Sequence, residues 1–205
     1  MAVSEVKIVI LILAGGKGSR MGSVKQLLPW KGTTLLENAI EQAKMSKASD
    51  VIVVLGAFAA EIRSRIENND ILFIDNKEWA SGLGTSISCG VHYVQNNRTN
   101  VVGIMVLLAD QPLIDTKYIN KMLDTFVKKS KGMVTTNYGN REGVPAIFHR
   151  KFFPELQALN QDFGAKELIK KHKYLNISLN PEGKGLDVDT FEDYNTLLKE
   201  QSEEN

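Results

Sequence analysis

The chain has 205 residues, 43% of them apolar and 24% charged, with a formal net charge of +1 and a single cysteine, Cys89. That length suits one domain, residues 1–205, with a full apolar core. The small net charge argues against a nucleic-acid partner, one cysteine excludes an internal disulfide or a thiolate zinc site, and the first apolar run is too short for a membrane span and unlike a signal peptide, so a cytoplasmic protein without a membrane partner is expected.

Residues 7–13, Lys7 followed by six aliphatic residues, form a run that predicts a buried parallel strand. The strand opens into Leu13-Ala14-Gly15-Gly16-Lys17-Gly18-Ser19-Arg20-Met21-Gly22, followed by Lys25. Small residues let the backbone turn sharply and bring its N–H groups to a ligand. Arg20 and Lys25 add positive charge beside those donors, so the loop suits a polyphosphate. It is not a P-loop, because Lys17 is followed by Gly18 rather than Ser or Thr. It is not the dinucleotide fingerprint either, because Gly22 comes one residue late.

Downstream, strand and helix signals alternate. Thr34-Leu35-Leu36-Glu37 is a capping box that opens a helix with its apolar stripe on Leu35, Leu36, Ala39, Ile40 and Ala43. Residues 50–56 predict a strand, 59–66 a helix and 71–74 a short strand. The loop 79–86 follows. Gly82 and Gly84 there allow close backbone approach, and Thr85 or Ser86 is suited to cap a helix over 85–94. A strand over 101–108 ends in Ala109-Asp110-Gln111-Pro112. Beyond it the pattern predicts a helix over 114–127 and strands over 133–136 and 145–148. Helices over 152–159 and 165–171, a strand over 175–179 and a helix over 190–199 complete it. This alternation implies a three-layer α/β fold, a mostly parallel sheet with helices on both faces. Ligands of such sheets bind outside the carboxyl ends of the strands, which brings together the loops after Leu13, Ile74 and Leu108.

Asp110 closes its strand at that rim and suits a Mg²⁺ ion held by one or two carboxylates plus substrate phosphates. Asp187 and Asp189 are two apart on an extended segment and share a face, which is costly without a cation or solvent. One of them is expected as a second metal ligand, and the spacing does not choose between them. His92, His149 and His172 read as structural, and Cys89 as core packing.

These segments resemble the nucleotidyltransferase superfamily, in particular the molybdenum cofactor cytidylyltransferase group and its relatives. The resemblance rests on Leu13-Ala14-Gly15-Gly16-x-Gly-Ser-Arg20-Met-Gly22-x-x-Lys25 and Leu108-Ala109-Asp110-Gln-Pro112-Leu113. It continues through Trp79-x-x-Gly82-x-Gly84-x-Ser86, Gly143-x-Pro145-x-x-Phe148, Asp162-x-Gly164-Ala165-Lys166 and Asp187-Val-Asp189-Thr190.

The resemblance implies a Rossmann-like nucleotidyltransferase fold. It also implies transfer of a nucleoside monophosphate from CTP or GTP to the phosphate of a molybdopterin-type acceptor, with a molybdoenzyme as possible client. Gly15, Gly16, Arg20 and Lys25 would bind the triphosphate, with Arg20, Lys25 and Asp110 as the catalytic set. Leu13, Ala14, Gly82, Gly84, Thr85 and Ser86 would lie against the nucleoside. Asp110 with Asp187 or Asp189 would hold Mg²⁺, and Gly143, Pro145, Gly164 and Lys166 would meet the acceptor. Leu13-Ala14-Gly15-Gly16 is the form common in guanylyl members, while the other motifs look like the cytidylyl branch, and Val144 stands where that branch often has His. CTP is therefore the expected donor, with GTP the alternative. A sugar- or alditol-phosphate acceptor and a non-catalytic delivery module are the alternatives.

Overall fold

The first apolar run is strand β1 (Lys7–Ala14), and it lies inside the main sheet. Its side chains alternate between two cores, as a strand covered on both faces requires. Ile8, Ile10 and Ile12 enter one core, and Val9, Leu11 and Leu13 enter the other. The computed structural model describes residues 6–18, 21–66, 70–129 and 132–203.

The remaining strands are β2 (Pro29–Trp30), β3 (Thr33–Thr34), β4 (Asp50–Leu55), β5 (Leu72–Asp75), β6 (Val101–Leu108), β7 (Met133–Asn137), β8 (Glu142–His149) and β9 (Asn176–Leu179). The helices are α1 (Leu35–Lys44), α2 (Ala59–Arg65), α3 (Leu83–Asn97), α4 (Thr116–Lys129), α5 (Phe153–Gln157), α6 (Lys166–Lys171) and α7 (Phe191–Glu203). Seven strands form one sheet in the order β5-β4-β1-β6-β8-β7-β9. β5, β4, β1 and β6 run parallel, β8 is antiparallel to both β6 and β7, and β9 is parallel to β7. The expected mostly parallel, three-layer Rossmann-like sheet is present.

Helices α1, α2 and α4 cover one face through Leu36, Ile40, Ile62, Ile119 and Met122. Helices α3, α5 and α6 cover the other through Ile87, Val91, Leu156 and Leu168. Burying each such side chain is worth about 1.5–3 kcal/mol. A third cluster joins Met21, Trp30 and Leu35 to Val188, Tyr194 and Leu197, and fastens α7 to the segment after the glycine loop.

Local chemistry sets the boundaries. The Thr34 capping box is formed, with the Glu37 N–H donating to Thr34 Oγ1 at 3.2 Å and the Thr34 N–H to Glu37 Oε2 at 2.9 Å. Helix α3 starts at Leu83, two residues before the expected point, because the Thr85 hydroxyl does not cap it and instead lies 2.8 Å from the Gly82 carbonyl. Helix α4 starts at Thr116 rather than 114 because Asp115 Oδ1 accepts the Tyr118 N–H at 2.8 Å. Strand β8 begins three residues earlier than expected, where the Tyr138 N–H donates to the Arg141 carbonyl and closes the β7–β8 turn. The β2–β3 hairpin was not foreseen. Its turn residues Lys31 and Gly32 both have positive φ, the form that matches strand twist.

Candidate active site

The carboxyl ends of β1 and β6 and the start of α3 surround a cavity of about 640 Å³. Its walls include Leu13, Gly15, Gly16, Lys25, Asp110 and Ser86, so loops widely separated in sequence converge as the topology requires. Among the described residues the glycine loop leaves β1 with Gly15 buried and Gly16 exposed. A Cβ on Gly16 would meet nothing within 4 Å, so this side of the loop is open to a ligand. Arg20 and Ser19 lie outside the described residues.

Gln26 shapes the loop and was not foreseen. It is buried, and its Nε2 donates to the Ala14 carbonyl at 3.0 Å and the Gly16 carbonyl at 3.1 Å. Two backbone acceptors, at the end of β1 and two residues beyond it, are thereby satisfied. Ala14 is accordingly held from behind and is absent from the cavity wall.

The loop 79–86 divides in two. Gly82, Leu83 and Ser86 line the cavity, whereas Gly84 and Thr85 do not. Gly84 is a glycine for a packing reason. A Cβ there would lie 2.5 Å from the Gln161 carbonyl oxygen, to which the Gly84 N–H donates at 3.0 Å. Thr85 is buried and accepts from Asn76 Nδ2 at 2.8 Å, while Ser86 accepts from the same amide at 3.0 Å. Asn76, just after β5, is therefore what positions Ser86, and sequence reasoning passed over it.

The three acids are neighbours that face different partners. Lys25 Nζ donates to Asp110 Oδ2 at 2.6 Å and to Asp189 Oδ1 at 3.2 Å. Burial pulls the Lys25 ammonium down, but Asp110 and Asp189 outweigh it and hold the group above its ordinary value. Asp187 turns to other partners. It accepts from Gln111 Nε2 at 2.8 Å and lies 3.7 Å from Arg141 Nη2. Burial first, and then the charge of Asp110, raise the Asp187 carboxyl above its ordinary range. Among the described residues no group of three or more His, Cys, Asp or Glu side chains could hold a metal ion. The structure brings Asp110, Asp187 and Asp189 near one another with other partners in place: an ammonium bridges Asp110 and Asp189, and an amide and a guanidinium engage Asp187.

A single carboxylate nevertheless suits a divalent ion that takes its other ligands from substrate phosphates. Asp110 has that character, since its Oδ1 is buried without a hydrogen-bond partner. The segment 187–189 is clipped beside it, the Val188 N–H donating to the Asp110 carbonyl at 2.9 Å.

The four residues expected to meet an acceptor lie outside the cavity wall. Gly143 packs beside Arg141 and Tyr138, Pro145 is buried in β8, Gly164 packs on Leu83, and Lys166 is exposed at the start of α6. Around Gly143 a polar group is built that the sequence did not announce. Gln111 Nε2 also donates to the Tyr138 hydroxyl at 2.8 Å, Tyr138 donates to the Val144 carbonyl, and the Arg141 guanidinium stacks 4.5 Å from the Tyr138 ring centroid. Burial pushes the Tyr138 phenol up to about 12. His92, His149 and His172 do not line the cavity, and Cys89 is half-buried on α3. No helix among the described residues is long and apolar enough to cross a membrane.

Known proteins resemble this chain in sequence and fold. The chain is 29% identical over 202 residues to the nicotine blue oxidoreductase of Paenarthrobacter nicotinovorans, covering 92% of this chain and 95% of that one. The structure of Rv0371c from Mycobacterium tuberculosis H37Rv superposes with a TM-score of 0.80 at 26% identity, covering 95% of this chain and 98% of the other. The same protein in complex with manganese superposes with a TM-score of 0.75 at 25% identity over 95% and 98% of the two chains. Residues 10–176 match the MobA-like NTP transferase domain, a span that holds the glycine loop, Lys25 and Asp110. With that match across most of its length, the chain belongs to the MobA-like NTP transferase domain family and is a nucleotidyltransferase.

Proposed function

We propose that this protein transfers a nucleoside monophosphate from CTP or GTP to the phosphate of a molybdopterin-type acceptor and releases pyrophosphate. The observation that carries the reading is one cavity whose wall holds the open face of the glycine loop, Lys25, Asp110 and the start of α3. Backbone N–H groups and a helix N-terminus favour anionic oxygens, and Lys25 adds a full charge. Gly15, Gly16 and Lys25, with Arg20, are assigned to the triphosphate, and Leu13, Gly82 and Ser86 to the nucleoside.

The reaction needs no side-chain base. A phosphate monoester has a second pKa of about 6, so the attacking oxygen is ionised near neutrality. It forms a bond to the α-phosphorus while the bond from that phosphorus to the bridging oxygen breaks, and pyrophosphate leaves with the electron pair. Alignment and charge neutralisation are what the protein contributes. Asp110, with Asp187 or Asp189, would hold Mg²⁺, and the chemistry a bound ion supplies is neutralisation of the triphosphate charge. The acceptor is assigned to Gly143 and Pro145, where Arg141 and Tyr138 stand beside Gly143, and to Gly164 and Lys166.

The test incubates purified protein with Mg²⁺, each of the four NTPs and a molybdopterin, sugar-phosphate or alditol-phosphate acceptor, and measures pyrophosphate. Release with CTP or GTP and the pterin supports the reading. Release with a sugar or alditol phosphate reassigns the acceptor, and nucleotide binding without release indicates a delivery module. The P. nicotinovorans relative bears the name of an oxidoreductase. Oxidation of NADH or NADPH without pyrophosphate release would replace nucleotidyl transfer with redox chemistry.

A further inference from the structure

We propose that Lys25 is an internal counter-ion that keeps a divalent cation off Asp110 until a nucleotide draws the ammonium away, so that metal and nucleotide bind with positive coupling. The inference rests on the nucleotidyl-transfer reading and deepens it, because it concerns the order in which that site fills.

The geometry is that of an occupied cation position. The Lys25 ammonium sits 2.6 Å from Asp110 Oδ2 and 3.2 Å from Asp189 Oδ1. Its side chain is 12% exposed and that of Asp110 24%. The second oxygen of Asp110 is buried and has no partner. One carboxylate oxygen is therefore in use and the other is covered. A metal ion and an ammonium on this one carboxylate repel each other, so each lowers the affinity of the site for the other. Asp187 accepts from Gln111 and lies beside Arg141, so the carboxylate whose access Lys25 controls is Asp110.

The exit for the ammonium is also present. Lys25 lines the same cavity as Gly15, Gly16 and Gly18. Phosphate oxygens cradled by that loop would offer the ammonium, on its flexible four-carbon stem, a new set of anions. Asp189 is more than half exposed, so releasing it costs little. Nucleotide binding then removes the competitor for Asp110. By linkage, whatever factor the nucleotide contributes to metal affinity the metal returns to nucleotide affinity.

Mn²⁺ alone, titrated into the metal-free full chain and followed by electron paramagnetic resonance of the free ion, tests this directly. Lys25→Met is expected to bind Mn²⁺ at least about tenfold more tightly than wild type, within the usual range of coupling between sites. Equal or weaker binding by a folded Lys25→Met chain overturns the proposal. If that variant does not fold, ¹⁵N NMR of the lysine ammonium groups in wild type decides. CTP or GTP in the presence of EDTA should shift the Lys25 signal, and millimolar Mg²⁺ alone should leave it in place. A shift with Mg²⁺ alone, or none with either nucleotide, overturns it. If pyrophosphate is released in the assay above while metal affinity is indifferent to Lys25, the counter-ion role falls and nucleotidyl transfer stands. If neither nucleotide binds with or without metal, both fall.

Discussion

Gln111 places its amide nitrogen 2.8 Å from Asp187 Oδ1 and 2.8 Å from the Tyr138 hydroxyl, from a side chain that is 3% exposed. One amide thus fixes an acid of the C-terminal segment and, through Tyr138 and the Val144 carbonyl, the turn between β7 and β8. Gln111→Leu keeps the volume and removes both donations. Partners that orient metal-site carboxylates are typically worth 10- to 100-fold in activity or metal affinity, so turnover should fall by about that factor. Nucleotide KM should change little, since the glycine loop is untouched. Steady-state pyrophosphate release checks both, and an unchanged kcat would make Gln111 a packing residue only.

Gln26→Glu replaces a side-chain amide that holds the glycine loop with a carboxylate facing the Ala14 and Gly16 carbonyls. A buried acceptor set against two others loses its bonds and costs about 1–3 kcal/mol. The expected result is a lower unfolding midpoint together with a raised KM for the nucleotide. Denaturant titration and nucleotide-binding calorimetry measure the two effects separately.

Two glycines should respond oppositely. Gly16→Ala meets nothing within 4 Å, so stability should be kept while nucleotide affinity drops if phosphates approach that backbone. Gly84→Ala would place a methyl 2.5 Å from the Gln161 oxygen and push the 161–162 segment away from α3. A loss of about 1–3 kcal/mol is expected there. Thermal melts beside nucleotide titrations would distinguish them. Equal destabilisation by both would show that the loop is tightly packed where the structure has it open.

Asp187 predicts a pH effect. Burial, and next the charge of Asp110, raise its carboxyl above the ordinary 3.8, although Gln111 donates to it. Folding therefore favours the protonated form. Well below that ordinary value both states are protonated and nothing is lost. As pH rises through the window between the unfolded value and the raised folded one, native stability declines, and above the window the penalty is constant. Asp187→Asn removes this ionisation. The variant should gain on wild type as pH rises through that window and remain the more stable near neutrality, while turnover falls. Denaturant unfolding across a pH series checks the sign, and a pH-independent difference would contradict it.

Asp110→Asn keeps the shape at the end of β6 but removes the charge that balances Lys25. Metal-dependent turnover should be largely lost while circular dichroism stays native. Turnover within a few-fold of wild type would remove Asp110 from the metal site.

The alternation of apolar strands and helices was legible because parallel strands covered on both faces carry continuous apolar runs, as β1, β4 and β6 do. The rim position of Asp110 followed from strand polarity alone. Gln26, Asn76 and Gln111 were not legible, because a glutamine or asparagine looks the same in sequence whether it is solvated or spends its amide on two buried acceptors. The reversal of β8 against β6 was hidden as well, since Gly143 to Phe148 reads equally well in either direction. Gly84 was read as a ligand approach and proves to be a packing contact, a distinction that only the position of Gln161 reveals.

Val188 is fully buried against Trp30 and Leu35, and its N–H is bonded to the end of β6. That contact holds residues 187–189 behind the rim of the cavity without placing them in its wall. Without them the glycine loop and Asp110 would remain, yet Lys25 would lose Asp189 and the turn after β6 its clasp. The residues that line the cavity and those that brace Asp110 from outside it thus come from separate parts of the chain.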